Sequence, residues 1–176
     1  FLPQRRERVF FVASVGDVEP QSVLFADEVQ PSTYPTRLDT HAHGFYWTEG
    51  TRGLGWAPNA VPTLKNGSTI GIPSPPAILL PTGKIVKPDI RDAERLQGFP
   101  SDWTSSAPER QRWSLVGNAV SVPVAKWLGG RLRVPGLYET ARDRDWSSKR
   151  GAFPRAARFD GRRRHVVEIS DFPAWV

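Results

Sequence analysis

Hydrophobic and polar positions follow two different rules along this chain. From Ile90 to Leu132 they recur with helical spacing, and before that they fall into short extended pieces cut by turn residues. Asp89 is placed as an N-cap, with Asp92 three residues later where a capping box usually has Glu or Gln. Ile90, Ala93 and Leu96 then share a face, Gly98 stands where a helix ends on a left-handed residue, and Pro100 follows. Arg91 and Arg95, four apart, lie on a related face. Ser121 and Pro123 open a second helix on which Val124, Trp127, Leu128 and Leu132 recur at i, i+3, i+4 and i+8. Such a stripe requires burial against something, and Gly129-Gly130 either weakens the helix or permits close packing. Between the two helices the pattern predicts a polar loop rich in tryptophan and proline that closes on a tight turn at Gly117-Asn118.

Upstream, Arg8 to Ser14 (RVFFVAS) is a nearly continuous β-branched and aromatic run that predicts a buried strand. If the segment before it is extended, Gln4, Arg6 and Arg8 point to one side and Arg5 and Glu7 to the other. Such a set either holds a phosphate or planar polar group by forked hydrogen bonds or is a solvated charge run beside a strand. Val15 to Pro88 has weak periodicity and dense turn signals, among them Asn66-Gly67, Thr82-Gly83, Pro73-Ser74-Pro75-Pro76 and glycines 50, 53 and 55. Short strands are predicted at Ser22–Phe25, Gly44–Thr48, Ser68–Ile72, Ala77–Leu80 and Lys84–Lys87, the last two forming a hairpin with Thr82-Gly83 near its tip. Such a region serves equally as a surface for reading base edges or as a structural insert. Beyond Leu132 the chain is polar and basic. Val166, Val167 and Ile169 predict one short strand there, in a segment that is either partly disordered or laid along phosphates.

Composition narrows the chemistry. The chain has no cysteine, which removes disulfides, thiolate metal sites and a cysteine nucleophile. Its net charge of +6 is uneven, −2 over residues 1–30, +3 over 31–130 and +5 over 131–176, a distribution that suits a polyanionic partner. Seventeen prolines and fifteen glycines in 176 residues point to a loop-rich α+β architecture. His41 and His43, with Asp39 nearby, are too few for a metal site, so no metal is expected. Phe45, Trp47 and Trp56 are base-stacking candidates or, more simply, core or loop anchors. No apolar run approaches the ~18 residues of a membrane helix, and a soluble cytoplasmic protein is expected. Starting at Phe1 without methionine, the chain reads as the inside of a longer protein.

These residues resemble the DNA cytosine-5 methyltransferases. Leu2-Pro3-Gln4-Arg5-Arg6-Glu7-Arg8-Val9-Phe10 looks like motif VIII of that family. Arg91 through Pro100, centred on Arg95-Leu96-Gln97-Gly98-Phe99-Pro100, resembles motif IX, and Val116-Gly117-Asn118-Ala119-Val120-Ser121-Val122-Pro123-Val124-Ala125 resembles motif X. They occur in the family's order, and Thr63-Leu64 is similar to a Thr-Leu pair frequent in the family's target recognition domain. Asp92 departs from the glutamate more common in motif IX. The cofactor motif I, the proline-cysteine of motif IV and the glutamate of motif VI would all lie before Phe1.

The resemblance implies an α/β fold class, namely the end of a Rossmann-like S-adenosylmethionine-dependent methyltransferase domain plus a small, loop-rich, mostly β target recognition domain. It divides the chain into 1–14 (end of the catalytic domain), 15–88 (target recognition), 89–132 (motif IX and X helices) and 133–176 (basic extension). It implies methyl transfer to C5 of a flipped cytosine in duplex DNA, in a bacterial or phage restriction-modification setting, together with a catalytic half that supplies the cysteine. Arg8 would bond the cytosine O2 and Arg6 a nearby phosphate, with Gln4 bracing them; Thr63 and Leu64 join Gln4 and Arg6 as DNA-binding candidates. Asn118, Ala119 and Val120 would close over the methionine end of the cofactor, and Arg95 would be a structural bridge. A non-catalytic recognition subunit of a split enzyme and a relative acting on transfer RNA are the alternatives.

Overall fold

The computed structural model describes residues 2–25, 40–46, 55–65, 76–146 and 153–169. Asp39, Trp47, Asn66-Gly67, the strand predicted at Ser68–Ile72, Pro73 to Pro75 and glycines 50 and 53 lie outside these residues. Helices and short strands are mixed, and the chain divides into two compact units, one of Phe1–Val9 with Tyr34–Lys126 and the other of Phe10–Thr33 with Trp127–Val176. This is a division by contact, whereas the four-part division above follows motifs along the chain.

In the first unit a four-stranded antiparallel sheet has the order β2-β1-β3-β4, with β1 at His43–Phe45, β2 at Ala57–Pro58, β3 at Ala77–Leu79 and β4 at Ile85–Val86. The strands at 44–48, 77–80 and 84–87 are thus present in shortened form. Gly83, at φ +79°, makes the β3–β4 turn, its N–H donating to the Leu80 carbonyl at 2.9 Å. At Gly44 an added Cβ would lie 2.5 Å from the Ala60 carbonyl oxygen, so only glycine permits the close approach of β1 to that backbone.

Helix α2, Ile90–Gln97, forms as its local chemistry dictates. Asp89 accepts from the Asp92 N–H at 2.8 Å and Asp92 accepts from the Asp89 N–H at 3.0 Å, a reciprocal box that aspartate completes in place of glutamate. Gly98 ends the helix at φ +87°, and a Cβ there would stand 3.0 Å from Pro123 Cδ and 3.2 Å from Val122 Cβ. Gly98→Ala is therefore expected to destabilise the protein by about 1–2 kcal/mol through left-handed strain, read as a lower urea midpoint at unchanged slope. The residues α2 buries are Ile90, Ala93, Glu94 and Gln97. Ile90 and Ala93 join Val61, Leu64 and Val116 in the hydrophobic core, with Ile78, Leu96 and Trp113 packed against it.

Four sequence expectations need correction. The run Arg8 to Ser14 is not a buried strand: Val9 and Phe11 are 78% and 91% exposed, and no ladder partner occurs among the described residues. A strand exists only with a neighbour to accept its hydrogen bonds, and composition alone does not supply one. Ser22–Phe25 lies within and just beyond helix α1, Pro20–Leu24, which Pro20 starts at its first turn. Gly117-Asn118 is no tight turn but the end of helix α3, Glu109–Asn118, in the stretch expected to be a loop. The close packing that Gly129-Gly130 would permit is not made, since both positions, within helix α4, Val122–Arg133, have open space around them among the described residues.

Helix α4 buries none of its residues. Trp127 and Leu132, of the expected stripe, are 41% and 56% exposed.

In the second unit the described residues of the basic segment form a small sheet. Strands β5 (Asp143–Asp145), β6 (Ala157–Phe159) and β7 (Arg164–Val167) form an antiparallel sheet in the order β5-β7-β6. Val23 and Val167 are buried here. Asp143 forms an ion pair with Arg158 and accepts from the Tyr138 hydroxyl at 2.6 Å. The guanidinium holds the Asp143 carboxyl below its usual range, while burial, then the Asp143 hydrogen bond, push the Tyr138 hydroxyl up to about 12.

Candidate functional site

The arginine-bearing N-terminal segment is docked by its backbone. Arg5 N–H donates to the Val61 carbonyl at 2.8 Å and Val61 N–H to the Pro3 carbonyl at 2.9 Å, leaving Gln4 in a parallel bridge with Val61. The Thr63 hydroxyl donates to the Arg5 carbonyl at 3.0 Å, and the Tyr46 hydroxyl donates in turn to the Thr63 carbonyl. Leu64 is 2% exposed within the hydrophobic core.

From this docked backbone two arginines reach over a hundred residues along the chain to one point. Arg6 Nη2 donates to the Gly117 carbonyl at 2.7 Å, and Arg8 Nη2 donates to the carbonyls of Asn118 at 2.7 Å and Ala119 at 3.1 Å. The last carbonyls of a helix have no intrahelical partner and carry the negative end of its dipole, so two guanidiniums at the end of α3 satisfy and stabilise them together. Of Gln4, Arg6 and Arg8, expected on one side of an extended segment, the two arginines are thereby tied to the segment that carries Asn118, Ala119 and Val120, while Gln4 bridges to Val61. Asn118 and Val120 are exposed there.

Gln97 braces the same segment from beneath. It is fully buried, donates from Nε2 to the Val116 carbonyl at 2.9 Å and accepts the Ser121 hydroxyl on Oε1 at 2.8 Å. One amide thus fastens the end of α2 to both sides of the α3–α4 junction. The three stretches that resembled separate motifs meet here through named hydrogen bonds. Some polar capacity is left over: both amide atoms of Gln4 and Nη1 of Arg6 are buried with no hydrogen-bond partner among the described residues. Such atoms cost free energy unless something polar completes them.

Glu94 organises the loop after α2. Fully buried, it accepts from the backbone N–H of Asp102 at 2.6 Å and of Thr104 at 2.9 Å, from the Thr104 hydroxyl, and from Arg112 Nη2 at 3.0 Å. Burial by itself would raise its pKa, but the hydrogen bonds from Thr104, Arg112 and Asp102 outweigh it and hold the carboxyl down at about 2. Arg112 also pairs with Asp102 at 3.2 Å, which binds Arg91 at 3.1 Å. Arg95 pairs with Asp92 and donates to Ser101 at 2.8 Å, both within its own neighbourhood.

Gln97 and Glu94 were absent from the sequence candidates. Their signal was present: with Ile90 and Ala93 they occupy the i, i+3, i+4, i+7 positions of α2, so two polar residues sit in what should be an apolar stripe. Elsewhere, Trp56 packs against His43 and Phe45 with ring centroids 5.2 and 5.8 Å apart and stays partly exposed. His43 Nδ1 lies 3.0 Å from the His41 carbonyl, and the described residues contain no cluster of three or more His, Asp or Glu fit to hold a metal. No helix among them is long and apolar enough to cross a membrane.

Comparison with known proteins supplies the family. The chain is 51% identical over 146 residues to the type II methyltransferase M2.BsuMI of Bacillus subtilis (strain 168), a match covering 76% of this chain and 37% of that protein. It is 56% identical over 43 residues to the DNA (cytosine-5)-methyltransferase CMT3 of Arabidopsis thaliana, covering 24% of this chain and 5% of the relative. With the type II methyltransferase M.Sau3AI of Staphylococcus aureus it shares 42% identity over 41 residues, 23% of this chain and 10% of the relative. The chain therefore spans well under half the length of these relatives. No solved structure matches it. A family model for the C-5 cytosine-specific DNA methylases matches residues 44–133, half the chain and nearly all of the first unit's helices and sheet, and this protein belongs to that family.

Proposed function

We propose that this chain is the DNA-recognising, C-terminal part of a type II DNA (cytosine-5) methyltransferase of a restriction-modification system, working with a catalytic part that carries the cysteine nucleophile. The observation that carries the reading is the convergence of Arg6 and Arg8 on the carbonyls of Gly117, Asn118 and Ala119. It ties the arginines expected at the target base to the residues expected at the cofactor, which is the juxtaposition that methyl transfer between the two requires.

In this reading a cytosine leaves the duplex and a thiolate from the catalytic part adds to C6, so that electron density accumulates on the ring. Arg8 spends Nη2 on helix carbonyls and keeps further N–H donors for the cytosine O2, where negative charge develops. Arg6 holds a backbone phosphate beside the flipped nucleotide, and the unpartnered donors Nη1 of Arg6 and Nε2 of Gln4 are the atoms that such a phosphate would complete. Thr63 and Leu64 contribute to DNA binding through placement: Thr63 holds the Arg5 carbonyl and Leu64 fixes that strand of backbone in the core.

The family's methyl donor, S-adenosylmethionine, supplies an electrophilic methyl group when bound. The residues at the α3–α4 junction fit its methionine end: exposed Asn118 offers an acceptor oxygen and two N–H donors, and Val120 an apolar surface. Arg6, Arg8 and Gln97 keep that junction in place.

The test is methyl transfer from labelled S-adenosylmethionine by this chain combined with an N-terminal half supplying the proline-cysteine motif. Label is expected in duplex DNA. A folded complex that labels transfer RNA and leaves DNA unlabelled would instead establish the RNA-directed alternative.

A further inference from the structure

Residues after 133 lie beyond the stretch matched by the family model and form the three-stranded sheet of the second unit. Its strands segregate charge by side. Alternation puts Asp143, Asp145, Arg158, His165 and Val167 on one side, where Asp143 and Arg158 pair. The other side carries Arg144, Trp146, Ala157, Phe159, Arg164 and Val166, and there Phe159 is 63% exposed and Arg164 sits over the Trp146 ring at 5.4 Å. Glu168 is already paired with Arg144 at 2.9 Å.

The β6–β7 turn adds two further exposed arginines, Arg162 and Arg163. Asp160 accepts from the N–H groups of Arg162 at 2.8 Å and Arg163 at 2.7 Å and lies 2.7 Å from His165 Nε2, while Gly161 takes φ +90°. The aspartate's acceptors are turned inward to shape the turn, and the side chains of Arg162, Arg163 and Arg164 remain exposed. A short, internally braced turn carrying three consecutive guanidiniums, with the third steadied on an indole, loses little freedom when it binds phosphates.

We propose that the β6–β7 hairpin is a second DNA contact of this protein, in which Arg162, Arg163 and Arg164 bind phosphates of duplex DNA without regard to base sequence. This rests on DNA being the substrate, as proposed above, and assigns to the segment beyond the family match the electrostatic share of affinity. The excess of +5 over residues 131–176 is the charge such a contact needs.

Binding of the full chain to random-sequence duplex DNA, followed by fluorescence anisotropy across a salt series without S-adenosylmethionine, tests it. Each phosphate contact adds about 0.9 to the steepness of log K against log salt, so Arg162→Ala/Arg163→Ala should make the slope shallower by about 2. Arg162→Lys/Arg163→Lys should keep most of it, and both variants should melt at the wild-type temperature, since neither side chain is packed. An unchanged slope in the alanine variant overturns the proposal. So does loss of poly-glutamate binding with DNA binding intact, which would mark the hairpin as a site for an acidic protein. The readout is independent of catalysis: a shallower slope with no methyl transfer by the reconstituted complex keeps the hairpin and removes the methyltransferase reading, and the reverse result does the opposite.

Discussion

Glu94→Ala is expected to destabilise the protein by about 3–5 kcal/mol, because it removes the fully buried partner of the Arg112 ion pair, leaving Arg112 only the more exposed Asp102, and strips the backbone N–H groups of Asp102 and Thr104 of their acceptor. The loop that Glu94 gathers connects α2 to α3, so its loss should also loosen the Gly117–Ala119 segment on which Arg6 and Arg8 converge. Chemical denaturation at pH 7 measures the effect. The same carboxylate predicts a pH dependence. Its folded pKa, about 2, lies below the ordinary glutamate value of 4.5, so its stabilisation is complete above about 4.5 and is lost as pH falls through about 2. The shift corresponds to about 3 kcal/mol. Asp143 is also depressed and adds to the acid sensitivity of the wild type. The contribution of Glu94 is therefore the difference between wild type and Glu94→Gln, which should be large at pH 7 and shrink towards pH 2. A constant difference across that range would contradict the assignment.

Arg8→Ala is expected to act on rate instead. The side chain is exposed and its bonds are to helix-end carbonyls that water can also satisfy, so folding should change by well under the Glu94 effect. Loss of one donor aimed at developing charge typically lowers the chemical step by about 10²–10³-fold. In the reconstituted enzyme, single-turnover methyl transfer should fall by that order while DNA affinity changes little. Arg6→Ala should show the opposite balance, weaker DNA binding with a smaller loss in the chemical step. Affinity loss alone in Arg8→Ala would contradict the role given to Arg8.

What could be read from the sequence was what is encoded locally. Helix α2 was legible because Asp89, Asp92 and Gly98 carry its start and stop in their own side chains and backbone, and the β3–β4 hairpin was legible because Gly83 is a turn residue by conformation. Helix α3 was not, because its support is non-local: of its residues only Val116 is buried, its end is held by Arg6 and Arg8, and Arg112 is anchored by Glu94. Arg8 to Ser14 failed in the other direction, since valine and phenylalanine favour a strand but a ladder requires a neighbour. Arg6, Arg8 and Asn118, which meet at the end of α3, were singled out by motif. The residues that bind the motifs together were missed: Gln97 and Glu94 were given no role, and only their place in the stripe of α2 marks them as buried. Likewise Thr63 is informative as a position that holds Arg5, a contact 58 residues away that no local pattern announces.

The most direct test of the central claim is the chemical identity of the methylated nucleoside. Duplex DNA incubated with the reconstituted protein and labelled S-adenosylmethionine, digested to nucleosides and resolved by mass spectrometry, should yield labelled 5-methyl-2′-deoxycytidine and no other labelled base. Label on the exocyclic nitrogen of cytosine or adenine, or an absence of labelled deoxycytidine from a folded and DNA-bound complex, would contradict it.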